Sequence, residues 1–218
     1  MTVCARSTRM RPLRYGLIPL LVAAFCLLAS PLALGLDTAQ VVRVEEDWEL
    51  VVVTPDPNTT APQVNCVISP VGNVESFHAA LLLNYQGLPE FIPGGVQLQV
   101  WHDEIPRLWR KFPSNALMAP DGETVRWTQT MELHDGWLTF EVVGGTSTTW
   151  GTFGGQGYLK AGIATWLENL NDYNPDVSVN NSGVSFAANR VVSLVLKRVR
   201  LVMSDGNVLE DSAPRVIQ

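Results

Sequence analysis

"TVRWTQTMELHDGWLTFEVVGG", Thr124 to Gly145, is the stretch on which the fold turns. On its first arm Val125, Trp127, Met131 and Leu133 share one face, broken only by Gln129, while Arg126, Thr128, Thr130 and Glu132 share the other. On its second arm Leu138, Phe140 and Val142 alternate with Trp137, Thr139 and Glu141. A period of two marks a strand with one side on a core and the other toward water. Between the arms stands Asp135-Gly136, a dipeptide that tolerates the positive φ angles of a tight turn. The stretch predicts an antiparallel hairpin.

The flanking sequence has the same character. "VVRVEEDWELVVV", Val41 to Val53, is closed by "TPDPNTTAP", whose prolines cannot donate to a ladder. "QVNCVIS" and "SFHAALLLNY", the latter Ser76 to Tyr85, follow as strands. "GLPEFIPGG" then turns the chain into "VQLQVWHDE", where Val96, Leu98 and Val100 alternate with Gln97, Gln99 and Trp101. Downstream, Val191 to Met203 is β-branched, and Asp205-Gly206 offers a second turn into a short strand through Val208. Leu159 to Leu170 fits both a helical stripe and a strand face; Gly162 and Thr165, poor helix formers, favour strand. No repeat or linker divides the region. Residues 36–218 are therefore expected to form one all-β domain, a two-sheet antiparallel β-sandwich of jelly-roll or concanavalin-like kind.

Residues 1–35 read differently. Four arginines and no acid occupy the first fourteen positions, an apolar run extends from Tyr15 to about Leu28, and Ala33 and Gly35 suit a cut before Leu36. That order is a secretory signal peptide. Retention as an anchor is the alternative, since the apolar stretch approaches the ~20 residues that span a bilayer; Pro19, Pro31 and the small residues favour cleavage, which leaves no stable membrane span in the mature form. The expected location is secreted, periplasmic or on the cell surface. Cleavage removes four arginines and no acid, taking the formal charge from −6 to −10. So acidic a chain is a poor match for nucleic acid.

Cleavage also removes Cys4 and Cys26, leaving Cys66 alone. A single cysteine makes no internal disulfide and no zinc-thiolate or dithiol redox site, so the fold rests on its hydrophobic core. Within "QVNCVIS" it reads as a buried, inert thiol.

The glycine-rich stretch "GGTSTTWGTFGGQGYLK", Gly144 to Lys160, lacks the Gly-Lys-Ser/Thr of a phosphate loop and the spacing of a serine-hydrolase elbow. As a ligand site it offers Trp150, Phe153 and Tyr158 as rings for the apolar face of a pyranose. As plain structure it is the polar edge of a sheet, with glycines at bulges and turns, and this is the preferred reading. "NDYNPDVS" sets Asp172, Asn174 and Asp176 at alternate positions, as at the start of a calcium loop, but Val177 replaces the turn glycine and Gly183 the bidentate glutamate. An Asn/Asp/Pro turn explains the segment without an ion.

Two clusters, His102-Asp103-Glu104 and Glu132-His134-Asp135, would hold a divalent metal only if their strands were neighbours. His78 reads as structural. Glu45, Glu46, Asp47 and Glu49 supply carboxylate pairs of the kind a glycosidase uses, yet read more simply as an exposed strand face. Lys197, Arg198 and Arg200 mark an outer face or edge, with that acidic strand as a natural counterpart. Asn58 and Asn180 head sequons that matter only in a glycosylating host.

"STTWGTFGGQG", "SGVSFAANRV" and the leader together resemble a group of uncharacterised secreted bacterial proteins, a resemblance that implies export and brings no activity or site residue. The likeness to concanavalin-like or laminin-G sandwiches is one of fold, and fold does not imply function. The expected function is an exported, noncatalytic surface or periplasmic binding or structural module with a glycan or cell-surface partner. A lectin-like protein, with or without calcium, or a carbohydrate-active enzyme on the same architecture is the alternative.

Overall fold

Asp135 and Gly136 adopt φ angles of 49° and 76°, and His134 pairs with Trp137 across them. Two successive positive φ values make the turn whose twist matches that of the flanking strands. The computed structural model describes residues 39–53, 62–84, 94–114, 116–118, 122–155 and 157–218. The leader, the Asn58 sequon and Tyr85 lie outside the described residues.

The first half of the chain forms β1 (Val41–Val52), β2 (Gln63–Ile68), β3 (Phe77–Leu83), β4 (Val96–His102) and β5 (Ile105–Lys111). The second half forms β6 (Thr124–His134), β7 (Trp137–Ser147), β8 (Gly151–Phe153), β9 (Lys160–Ala164) and the short helix α1 (Pro175–Asn181). It closes with β10 (Gly183–Phe186), β11 (Val191–Met203), β12 (Val208–Asp211) and β13 (Arg215–Val216). One sheet has the order β12-β11-β1-β6-β7-β8, with β9 also on β7 and β13 also on β11; the other has the order β10-β2-β3-β4-β5. Every ladder is antiparallel. The two sheets pack face to face as a β-sandwich.

The core is built by the inward positions of the alternating strands. Val44, Trp48 and Leu50 of β1 meet Val125, Trp127 and Met131 of β6 in register, and Leu138, Phe140 and Val142 of β7 continue the layer. From the other sheet come Cys66, Ile68, Phe77, Ala79, Leu81, Leu98 and Val100. Trp48 and Trp127, directly opposed, stack at 6.1 Å with 2° between planes. Burying each such large side chain stabilises the fold by about 1.5–3 kcal/mol, and Cys66, buried among them, is a free thiol.

The outer face of the larger sheet is an ion-pair ladder. Arg198 lies 2.6 Å from Asp47, Arg200 2.6 Å from Glu45 and Arg126 2.7 Å from Glu49. The cations of β11 thus meet the acidic first strand in register, Glu45 opposite Arg200 and Asp47 opposite Arg198.

Two elements depart from the sequence reading. β5 is an additional strand, an edge carrying Pro106 and three cations, entered through a turn in which Asp103 and Glu104, not glycine, take φ of 50° and 60°. In the Asn/Asp/Pro segment Asn174 caps a helix: its Oδ1 accepts from the Asp176 N–H at 2.9 Å, and Pro175 occupies the first turn. Between Leu159 and Leu170, strand is confined to Lys160–Ala164. Among the described residues, no helix is long and apolar enough to cross a membrane.

Candidate functional site

The aromatic residues of the glycine-rich stretch turn inward. Phe153 is fully buried and Trp150 is 6 % exposed; Tyr158 packs against the same cluster through Phe112. Trp150 donates its indole N–H to the Ala116 carbonyl at 2.8 Å and meets Phe153 edge-on at 6.2 Å. The expectation that Trp150 and Phe153 offer ring faces to a sugar is thereby corrected: the rings are needed under the sheet edge. The glycines make that possible. A Cβ on Gly145 would sit 2.3 Å from the Phe153 ring, and Gly154, at φ +81°, would place one 2.4 Å from the Val142 carbonyl. The stretch is the edge formed by β7 and β8.

Asp172, Asn174 and Asp176 are exposed, and the Asn174 oxygen that a cation would need is the helix cap. His102 lies 3.3 Å from Asp103 and His134 3.1 Å from Asp135, but β4 and β6 belong to different sheets and the pairs stay local. Among the described residues, no group of three or more His, Cys, Asp or Glu side chains is arranged to hold a metal.

Glu46 is the chief correction to the acidic first strand. It points into the core with no accessible surface, while Glu45, Asp47 and Glu49 point outward. Its Oε2 accepts from Trp48 Nε1 at 2.9 Å and from Gln129 Nε2 at 2.8 Å, and its Oε1 from the Tyr173 hydroxyl at 2.7 Å and Ser178 Oγ at 2.6 Å. Desolvation raises its pKa above the ordinary carboxylate value despite these donors. Burial, helped by the nearby Glu46 charge, pushes the Cys66 thiol and the Tyr173 hydroxyl well up as well. Gln129, the one polar residue on the inner face of its strand, stands directly opposite Glu46 in the ladder. The cluster ties α1 and the segment before it to β1. Glu123, also buried, accepts from the Thr149 N–H at 2.8 Å and from its hydroxyl at 2.6 Å. Both buried carboxylates hold structure together.

A depression lies on the outer face of the five-stranded sheet. Cross-strand register places Val67, Ala80 and Gln99 in one row, Asn65, Leu82 and Gln97 in the next, and His78 beside Trp101. Ala80, the smallest of these, leaves a depression of about 420 Å³ that Asn65, His78, Gln99, Trp101, Asn181 and Ser185 surround. The His78 and Trp101 rings stack at 5.8 Å with 8° between planes. Trp101 donates its indole N–H to Gln99 at 3.1 Å, and Gln99 donates to Gln97 at 2.9 Å, a relay that lies along β4 and buries both amides. Burial lowers the His78 pKa, so the ring is neutral at pH 7; its Nδ1–H donates to the Val74 carbonyl at 2.6 Å, which leaves Nε2 an acceptor. A smaller depression of about 210 Å³ adjoins this one, shares Val74, His78 and Trp101 with it, and brings in Glu75 and Glu104, both exposed.

A depression of about 530 Å³ also lies on the charged face of the larger sheet, but Asp47, Glu49, Arg126, Lys197 and Arg198 in its lining are bonded to one another across the strands. The alternation in "VQLQVWHDE" marks Gln97, Gln99 and Trp101 as sharing a face. That Ala80 and His78 lie beside them depends on strand order, which alternation does not carry.

The chain matches no protein-family model, and no curated protein resembles it significantly.

Proposed function

We propose that the chain is an exported β-sandwich without catalytic chemistry, a surface or periplasmic module that binds through the outer face of its five-stranded sheet. The observation that carries this reading is the depression over Ala80, an aromatic and amide lining held on paired strands. Rigid strands present such groups with less ordering cost than loops do. The engagement of Glu46 and Glu123 in structural bonds supports the noncatalytic part. The leader supports export.

The test is to express the full chain in a bacterium, fractionate the cells and determine the mature N-terminus by mass spectrometry, then measure retention of the purified protein on isolated envelope material. Processing near Leu36, a non-cytoplasmic location and retention lost on Ala80→Trp are expected. An unprocessed cytosolic protein would overturn the reading. A carbohydrate-active enzyme is the second reading, favoured by one observation: Glu75 and Glu104 share the depression beside Trp101. Release of reducing ends from polysaccharide, abolished by Glu104→Gln, would establish it in place of the first.

A further inference from the structure

We propose that the depression over Ala80 binds a segment of a neutral glycan chain, with the sugar rings over Val67, Ala80 and Leu82 and against the stacked His78 and Trp101. This rests on the reading of that face as the binding surface, and it adds the ligand class.

Three features of the site select this chemistry. The first is the floor: two aliphatic side chains and a methyl group, bounded by an aromatic wall, match the C–H face of a pyranose, which is apolar although its rim is not. Trp101 meets this requirement without leaving its indole N–H unbonded, because Gln99 already accepts it.

The second is the rim. Asn65, Asn181 and Ser185 are amides and a hydroxyl, groups that both donate and accept, above the buried Gln99. Sugar hydroxyls do the same, whereas a carboxylate or phosphate accepts only. The amide planes are set before any ligand arrives: Asn65 Nδ2 donates to the Asn181 carbonyl at 3.2 Å, Asn181 Nδ2 to the Val177 carbonyl at 2.8 Å, and Gln99 sits in the Trp101 relay.

The third is charge. The lining residues of the main depression carry no cation, His78 is neutral, and the adjoining end bears Glu75 and Glu104 on a chain of formal charge −6. At that end a polyuronate or a sulfated glycan would meet the like charge of Glu75 and Glu104, and Lys111, in register with Gln97 on the edge strand, is not part of the lining. The two adjoining depressions together favour an extended chain over a single sugar, with Trp101 at their junction.

The experiment uses the purified mature protein and a panel of oligosaccharides titrated by calorimetry: neutral β-linked glucose, mannose and xylose chains, a polyuronate, a sulfated chain and a glucosamine chain. Binding of at least one neutral chain is expected, with no binding of the acidic ones. Ala80→Trp, which fills the floor, and Asn65→Ala, which removes one rim amide and leaves the wall intact, are each expected to weaken binding by about tenfold or more. Arg126→Ala, on the opposite sheet, should bind as the parent does. Thermal midpoints of all variants establish that they are folded.

Equal binding of the polyuronate, binding of the glucosamine chain alone, binding that survives both variants in folded protein, or silence of every neutral chain to millimolar concentration would overturn the proposal. If the glycans are silent while Ala80→Trp still abolishes retention on envelope material, the ligand class falls and the binding face stands. If retention also survives the substitution, the face falls with it.

Discussion

A carboxylate removed from water must take up a proton or be surrounded by donors. Glu46 has four donors and is still shifted upward, so the folded protein holds its proton more tightly than the unfolded chain does. The contribution of this group to stability is full below its ordinary value of 4.5 and is lost as pH rises from there through the raised value. Glu46→Gln keeps an acceptor toward Trp48 and Gln129 and removes the titration. Urea unfolding from pH 4 to 8 should therefore show a flatter pH dependence for Glu46→Gln than for the parent; parallel curves would contradict this. The two stacked tryptophans offer a second contrast. Trp127 Nε1 is buried with no hydrogen-bond partner among the described residues, whereas Trp48 Nε1 serves Glu46. Trp48→Phe is expected to cost about 1 kcal/mol more than Trp127→Phe, measured as the difference in unfolding free energy. In the sequence only Gln129 shows as a polar break in an apolar face, while Glu46 reads as part of an exposed acidic strand; the register that opposes them makes them a pair.

At the scale of elements, α1 depends on its cap. Losing the Asn174 side chain frees the N–H of Asp176 and should cost the protein about 1 kcal/mol, so Asn174→Ala is expected to lower the thermal midpoint. Because that oxygen caps the helix, calcium or a chelator should leave the midpoint of the parent unchanged; a rise with calcium would restore the ion-binding reading of Asp172, Asn174 and Asp176. The β6–β7 hairpin and the alternation of β4 could be read from residues alone, since period two and Asp-Gly turns are local properties, whereas the inward turn of Glu46 and the pairing of β11 with β1 rest on strand order. β5 could not, because its turn uses Asp103 and Glu104 in positive φ and its residues suit an exposed edge more than a core. α1 was hidden for the opposite reason. Asn174 and Pro175 are a good helix start, but they are equally good turn residues, and the anchors that decide between them, Tyr173 and Ser178 on Glu46, lie more than 120 positions away in sequence.

At the scale of the whole molecule, the two sheets divide their tasks. The larger one satisfies its outer face with ion pairs across strands, while the smaller leaves a neutral aromatic and amide depression centred on Ala80. The sequence offered Trp150, Phe153 and Tyr158 as rings for a sugar only as the alternative to a sheet edge, and Trp101 as one member of an alternating strand. What separates them is tertiary: Phe112 and the Ala116 carbonyl pack against Phe153 and Trp150, while the adjacent strand sets His78 and Ala80 beside Trp101 and Gln99. Chemical-shift mapping of the isotope-labelled mature protein with a neutral oligosaccharide tests this assignment most directly. Saturable shifts should appear at Asn65, His78, Ala80, Gln99, the Trp101 indole and Ser185, with Arg126 and Arg198 unmoved. Shifts centred on the charged sheet, or none at millimolar ligand, would show that the binding face has been misplaced.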